Sequence, residues 1–140
     1  MGNAIFGWGM DMAERFHDLA IDPHFADVLA GSGIERPTPV QAEAIPAILA
    51  GRDAIVEAPT GTGKTLAYVL PMLSRIDAGL RRLQGVILVP TQELGMQIVR
   101  QIRALGEGRG VRCAACIGGA SLSRQLEKLK ERPHVVVGTP

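Results

Sequence analysis

Residues Ala58-Pro-Thr-Gly-Thr-Gly-Lys-Thr65 constrain this chain more than any other stretch because of what flanks them. Before them, Asp53-Ala-Ile-Val-Glu57 reads as a buried strand; after them, Leu66, Val69, Leu70, Leu73 and Ile76 recur at the spacing of one helix face. A strand that turns sharply through glycines into a helix N-terminus is a phosphate-binding P-loop. Gly61 and Gly63 permit dihedrals and a close approach that a Cβ would forbid, so successive N–H groups can converge on an anion. The helix starting near Lys64 adds its unsatisfied donors and the positive end of its dipole. Lys64 then acts as a mobile cation for β- and γ-phosphates, and the Thr65 hydroxyl as a ligand for the Mg²⁺ that bridges them. Ala58, Pro59, Thr60 and Thr62 complete the cradle, whose expected ligand is a Mg²⁺-nucleoside triphosphate. Ala58 stands where the general pattern has glycine, and it is small enough to keep the turn. The bland alternative is a glycine-rich connection that binds nothing.

Composition narrows the remaining possibilities. A chain of 140 residues suits one domain with a real core. Hydrophobic residues make up 46% and charged residues 21%, which is globular rather than disordered composition. Fifteen basic against fourteen acidic residues leave a net charge of +1, so any nucleic-acid contact must be local. No run approaches the roughly 18 apolar residues that cross a bilayer, and Met1 to Met12 lacks the plan of a secretory signal. Residues 1–15 are expected to form a flexible arm and 16–140 the folded domain. Cys113-Ala-Ala-Cys116 invites a redox or zinc reading, but the run 111–117 reads as a strand. Residues three apart on a strand point to opposite faces, roughly 10 Å apart, and no second ligand pair lies nearby. Two unbridged thiols fit a reducing compartment.

From the arm onward the pattern alternates. A short helix is expected over 21–29, with Asp22 as cap, Pro23 in the first turn and Gly31 or Gly33 closing it. A second is expected over 39–50 between Thr38 and Gly51. Strands 53–57, 85–89, 111–117 and 134–138 then interleave with helices near 64–78, 92–105 and 122–131. Short apolar strands between amphipathic helices imply an α/β fold: a three-layer α/β/α arrangement with a parallel sheet covered on both faces. Leu94, Ile98, Ile102 and Leu105 share one face of the helix capped by Thr91. Leu122, Leu126 and Leu129 are expected to face inward, with the intervening charges solvated. No strand after Lys64 ends in the acidic residue that an ATP-hydrolysing P-loop fold uses to hold Mg²⁺. The expectation is a piece cut before a catalytic strand; the alternative is a complete small nucleotide-binding domain.

From Phe16 to Pro140 the chain resembles the first RecA-like domain of the DEAD-box RNA helicases. Ala58 in the P-loop is the form associated with helicases. Gly33-Ile-Glu-Arg-Pro-Thr-Pro-Val-Gln41 is similar to the family's Q motif, with Phe16 seventeen residues before Gly33. The resemblance implies that Gln41 reads the adenine edge through its paired donor and acceptor, that Arg36 lies at the nucleotide, and that Phe16 stacks on the base. ATP should then be preferred over GTP. Taken alone, Gln41 is an ordinary helix residue and Phe16 a core aromatic. Pro90-Thr-Gln-Glu-Leu-Gly-Met-Gln97 is similar to the P-T-R-E-L-A-x-Q segment that touches the RNA backbone, with Pro90, Thr91, Gln92 and Glu93 as candidate contacts. Gln92 replaces an arginine there, and a neutral amide cannot make the charge-assisted fork to phosphate, so that contact should be weaker. Thr91 by itself is equally a plain helix cap. Gly118-Gly119 matches the glycine doublet near RNA, and Thr139-Pro140 the start of a T-P-x-R segment.

The resemblance implies a full-length ATP-dependent RNA helicase using ATP and Mg²⁺. A second, C-terminal RecA-like domain would close with this one on RNA, gripping its backbone rather than its bases. The D-E-A-D segment and the arginine fingers would lie beyond Pro140, so the 140 residues alone are expected to be monomeric, to bind adenine nucleotide weakly and to hydrolyse it negligibly. A cytoplasmic location follows, with an organellar form left open. Two alternatives stand beside this one: a DExH-type or DNA-directed helicase, and a non-catalytic nucleotide- or RNA-binding module.

Overall fold

Side-chain caps set where most of the helices begin. In the computed structural model, which describes residues 13–140, helix α1 spans Pro23–Gly31 and α2 spans Pro39–Leu49. The Asp22 carboxylate accepts the His24 N–H at 2.9 Å, and Pro23 fills the first turn, where its missing N–H costs nothing. Thr38 caps α2 and Gln41 reciprocates, forming a capping box. Gly33 and Gly51 take positive φ just past the two helices, as helix stops require. Then follow α3 (Lys64–Ser74), β1 (Gly85–Leu88), α4 (Gln92–Gly106), β2 (Cys113–Cys116), α5 (Leu122–Lys130) and β3 (Val135–Gly138).

The strands form a parallel sheet in the order β1-β3-β2, with Val86 opposite Val136 and Val136 opposite Ala114. Ile87, Val135 and Val137 point to one side and join Val69, Leu70, Ile98, Val99 and Ile102 in a continuous core. Helix α4 lies on that side, where a Cβ on Gly95 would stand 3.2 Å from Val89 and 3.8 Å from Val137. Leu129 of α5 shares a groove with Val136 on the opposite side, so helices occupy both layers as expected for the α/β class.

Three expectations fail. Residues 53–57 form no strand: they pair with nothing among the described residues, and Ile55 is 99% exposed. An apolar run becomes a strand only when another strand supplies ladder partners, and among the described residues β1 bonds to β3 alone. The leucine stripe of α5 does not face inward, since Leu122 is 70% exposed and Leu126 49%. The reason is placement: α5 touches β2, the edge strand, whose residues on that layer are the small Ala114 and Cys116. Cover on the second face is therefore incomplete, and Leu88 of β1 remains 72% exposed. Helix α3 also stops at Ser74, four residues short of the expected end.

Of the expected arm, residues 1–12 lie outside the described residues. Ala13 packs against the core, and the Asp18 carboxylate accepts the Arg15 N–H at 2.8 Å, so the fold includes at least these positions.

Candidate functional site

The turn between Ala58 and Lys64 is built as the sequence requires. Gly61 (φ 84°) and Gly63 (φ 83°) both take the left-handed region, and Gly63 is the N-cap of α3 without any side chain to satisfy the helix donors. The backbone N–H groups of Gly63, Lys64, Thr65 and Leu66 donate to nothing within the described chain. Four free donors point from this turn, at the positive end of α3. The loop is also folded on itself: Lys64 Nζ donates to the Ala58 carbonyl at 2.5 Å, and Thr62 Oγ1 to the Pro59 carbonyl at 2.6 Å. An incoming phosphate would have to replace the lysine's bond to Ala58.

Gln41 is tied directly to this loop. Its side chain, 3% exposed, accepts the Thr38 N–H at 2.9 Å and donates from Nε2 to the Gly63 carbonyl at 3.0 Å. A Cβ on Gly63 would fall 2.3 Å from that same Nε2, so the position needs glycine for space as well as for φ. The amide orientation follows from its partners, because a backbone N–H needs the oxygen and a carbonyl needs the nitrogen. Gln41 is thus both the ordinary capping residue and a strut on the P-loop. Arg36 is exposed, two residues before Thr38. Phe16 corrects the expectation of a stacking platform: its ring is 1% exposed within the core cluster, so in this conformation it presents no face to a base.

A cavity of about 780 Å³ opens beside the loop, a volume within the range of small-molecule sites. Thr60, Gly61, Gly63, Lys64 and Thr65 form one wall, and Leu94, Gln97 and Gln101 of α4 form the other. Tyr68 also lines it, one turn beyond Thr65; burial pushes its phenol up, and a hydrogen bond with the Thr65 side chain partly offsets this. The sequence reading missed Tyr68, Gln97 and Gln101. Helical spacing from Thr65 could have found Tyr68, whereas the approach of α4 is a tertiary fact.

The remaining candidates gather at the C-terminal ends of the three strands. Pro90 and Thr91 follow β1, Gly118 and Gly119 follow β2, and Thr139 and Pro140 follow β3. The Gly118 N–H donates to Thr139 Oγ1 at 3.3 Å, and the Thr139 N–H to the Cys116 carbonyl at 3.2 Å, which binds two of these loops together. Thr91 caps α4, accepting the Leu94 N–H at 3.2 Å, and Glu93 is exposed in the first turn. The Gln92 amide rests on the glycine doublet, within 3.3 Å of where a Cβ on either Gly118 or Gly119 would sit. Cys113 and Cys116 are unbridged, and burial pushes the Cys113 thiol up to about 11 despite the nearby Arg103 charge. Among the described residues no group of three or more potential metal-ligating side chains occurs, and no helix is long and apolar enough to cross a membrane.

Comparison with known proteins agrees with this arrangement. Residues 38–140 match the DEAD/DEAH box helicase family. A protein of Bacillus subtilis described as "Probable ATP-dependent RNA helicase YfmL" is 52% identical over 109 residues, covering 78% of this chain and 29% of that protein. The DEAD-box ATP-dependent RNA helicase CshC of Bacillus cereus is 45% identical over 120 residues, covering 86% and 31%. The crystal structure of a DEAD box protein from the hyperthermophile Methanococcus jannaschii superposes with a TM-score of 0.83 at 30% identity, covering 90% of this chain and 34% of that one. The chain spans about a third of the length of these relatives. With the family pattern running from the cap of α2 to Pro140 over a fold that matches a solved member, the chain belongs to the DEAD/DEAH box helicase family.

Proposed function

We propose that these residues supply the ATP-binding loop and part of the RNA-binding surface of an ATP-dependent RNA helicase. One observation carries the reading: a single cavity has the P-loop as one wall and α4 as the other, and the N-terminus of α4 lies among the strand-end loops. Occupancy of the nucleotide side therefore bears on the helix that would meet RNA.

In this reading the free N–H groups at the start of α3 hold the phosphate chain, and Lys64 leaves the Ala58 carbonyl to neutralise the β- and γ-phosphates. The residues present fit Mg²⁺ carried by the nucleotide. Thr65 offers one hydroxyl beside the cavity, which suits a cation that keeps most of its waters and phosphate ligands. When bound, the metal would offset charge on the phosphate oxygens. Gln41 retains a second amide hydrogen and a second oxygen lone pair, but at 3% exposure reading an adenine edge would require nucleotide binding to uncover its amide. Arg36 stands exposed at the entrance to α2, and Phe16 supports that segment from the core: its N–H donates to the Glu35 carbonyl at 3.2 Å. The strand-end loops, with Thr91, Gln92, Gly118, Gly119 and Thr139, would follow a sugar-phosphate backbone through main-chain donors and neutral side chains, so base sequence matters little. A second RecA-like domain and an acidic strand would complete the catalytic centre.

Calorimetric titration tests the nucleotide half. ATP binding that disappears in Lys64→Ala, with an unchanged far-ultraviolet spectrum, is the expected result; equal affinity in the variant would remove the P-loop assignment. Competition with GTP and CTP tests the base: selectivity for ATP that is lost in Gln41→Ala supports the amide readout, and a site indifferent to the base favours a DExH-type enzyme.

A further inference from the structure

Where the last turn of α4, the start of β2 and the last turn of α5 meet, the fold closes a small cleft of about 250 Å³. Its base is finished by the described residues themselves, since Ala114 and Pro133 are buried there. Its walls carry cations: Arg103 from α4, Arg112 from the entrance to β2 and Lys128 from α5, with Glu131 as the carboxylate among them. Neither arginine has a carboxylate within 4.0 Å among the described residues, and Lys128 meets Glu131 at 3.3 Å in a pair open to water. Such a pair is screened and exchanges its partner at little cost. In a chain whose net charge is only +1, three cations facing one carboxylate are a local surplus.

Arg112 is the fixed member of the set. Its N–H donates to His134 Nδ1 at 2.9 Å and its Nη2 to the Arg132 carbonyl at 3.1 Å, while its buried Nε donates to nothing among the described residues. A buried donor without an acceptor is costly, more so on a charged group, so the fold keeps here a guanidinium whose hydrogen-bonding capacity it does not fill. Arg103 is brought to the same cleft by a different route, with Nη2 donating to the Cys113 carbonyl at 3.4 Å. Cys113 also lines the cleft and adds no opposing charge: burial pushes its thiol up to about 11, with Arg103 pulling the other way.

We propose that this cleft binds a small phosphate dianion, held by Arg103, Arg112 and Lys128. A tetrahedral dianion offers acceptor oxygens to two guanidinium forks and an ammonium together, and its second charge suits a site where cations outnumber carboxylates three to one. Volume limits the class further. About 250 Å³ receives a phosphate group and falls below the roughly 300–1,000 Å³ of sites that enclose a larger ligand. No aromatic ring of the described residues lines the cleft to stack a base, so a nucleoside carried by the phosphate would stay outside. Two sources share this chemistry, the free ion and a terminal monoester. The cleft lies at the start of β2, a four-residue strand of roughly 13 Å whose far end leads to Gly118 and Gly119, and it depends on neither the nucleotide nor the RNA assignment.

Two-dimensional ¹⁵N NMR of the whole chain at pH 7.5 and constant ionic strength tests this with inorganic phosphate, uridine 5′-monophosphate and acetate. Each amide is read separately, so phosphate taken up at the glycine turn before α3 shows at residues 61–65 and not at the cleft. Phosphate should shift the amides of Cys113 and Ala114 together with the Arg112 Nε–H signal, and acetate at the same concentration should not. Arg103→Gln should weaken phosphate binding about fivefold, the upper range for a solvent-screened ion pair, and its combination with Lys128→Gln more than about tenfold. Both side chains are exposed, so signals elsewhere should keep their positions. Uridine monophosphate binding as tightly as phosphate supports a terminal monoester, and phosphate binding alone supports the free ion. Cleft signals that do not move with phosphate overturn the proposal. So do shifts that the double variant leaves intact, or equal shifts with acetate, which would make the cleft a carboxylate site.

Discussion

Gln41 and Gly63 should be energetically coupled, and the size of the coupling can be worked out from their geometry. In Gly63→Ala the new methyl meets two penalties. The left-handed φ of 83° costs an alanine about 1–2 kcal/mol. The Cβ also falls 2.3 Å from Gln41 Nε2, so the amide must move and its bonds to Thr38 and Gly63 are lost, at about 1 kcal/mol each. The variant should therefore lose about 3–4 kcal/mol. Gln41→Ala forfeits the same two bonds and leaves a void at a nearly fully buried position, together about 3 kcal/mol. In the double variant the clash has no partner, and only backbone strain is added to the loss from Gln41→Ala. Its total should fall about 2 kcal/mol short of the sum of the singles. Urea denaturation of the four proteins without nucleotide measures this, since ligand linkage is then absent. Additivity within about 0.5 kcal/mol would mean that the two residues do not touch, and the strut on the P-loop would be refuted.

Three further outcomes follow from the structure. His134 is fully buried, accepts the Arg112 N–H through Nδ1, and is held below its ordinary pKa by desolvation and then by the Arg112 charge. Because the folded pKa lies below the unfolded value of about 6.5, the unfolded chain binds the proton more readily. The neutral ring's stability is thus present above pH 6.5 and lost as pH falls below it; chemical denaturation from pH 7.5 to 5 should show a slope that His134→Gln reduces. Leu126→Gln should change stability by less than about 0.5 kcal/mol in urea unfolding, because its side chain is half exposed; a loss above 2 kcal/mol would place α5 against a covered surface. Cys113, with its thiol pushed up to about 11, should react with iodoacetamide at pH 7.5 far more slowly than a free cysteine, as followed by mass spectrometry; reaction at the free-thiol rate would mean that β2 opens readily.

Much of the framework was legible in residue types. Asp22, Thr38 and Thr91 cap helices where they were expected to, because a short polar side chain facing free N–H groups is a local interaction. The sheet strands stand within two residues of their expected bounds, since runs such as Val135-Val-Val137 suit a strand covered on both sides. The misreadings concern partners. The run 53–57 has strand composition but no ladder partner among the described residues, and the α5 stripe has helical period but packs chiefly on the edge strand β2. Periodicity reports which residues share a face and says nothing of what lies against that face.

The sequence by itself determined the glycine turn into α3, because two glycines, a lysine and a threonine before an apolar helix already specify converging N–H groups, a cation and a hydroxyl. Only the tertiary structure decided that Gln41 braces Gly63 from another helix, that α4 closes the far wall of the cavity, and that Phe16 is enclosed in the core. The physical reason is range. Dihedral preferences and helix donors act within a few residues of chain, whereas a hydrogen bond across 22 residues or a wall drawn from another helix exists only once the core has packed.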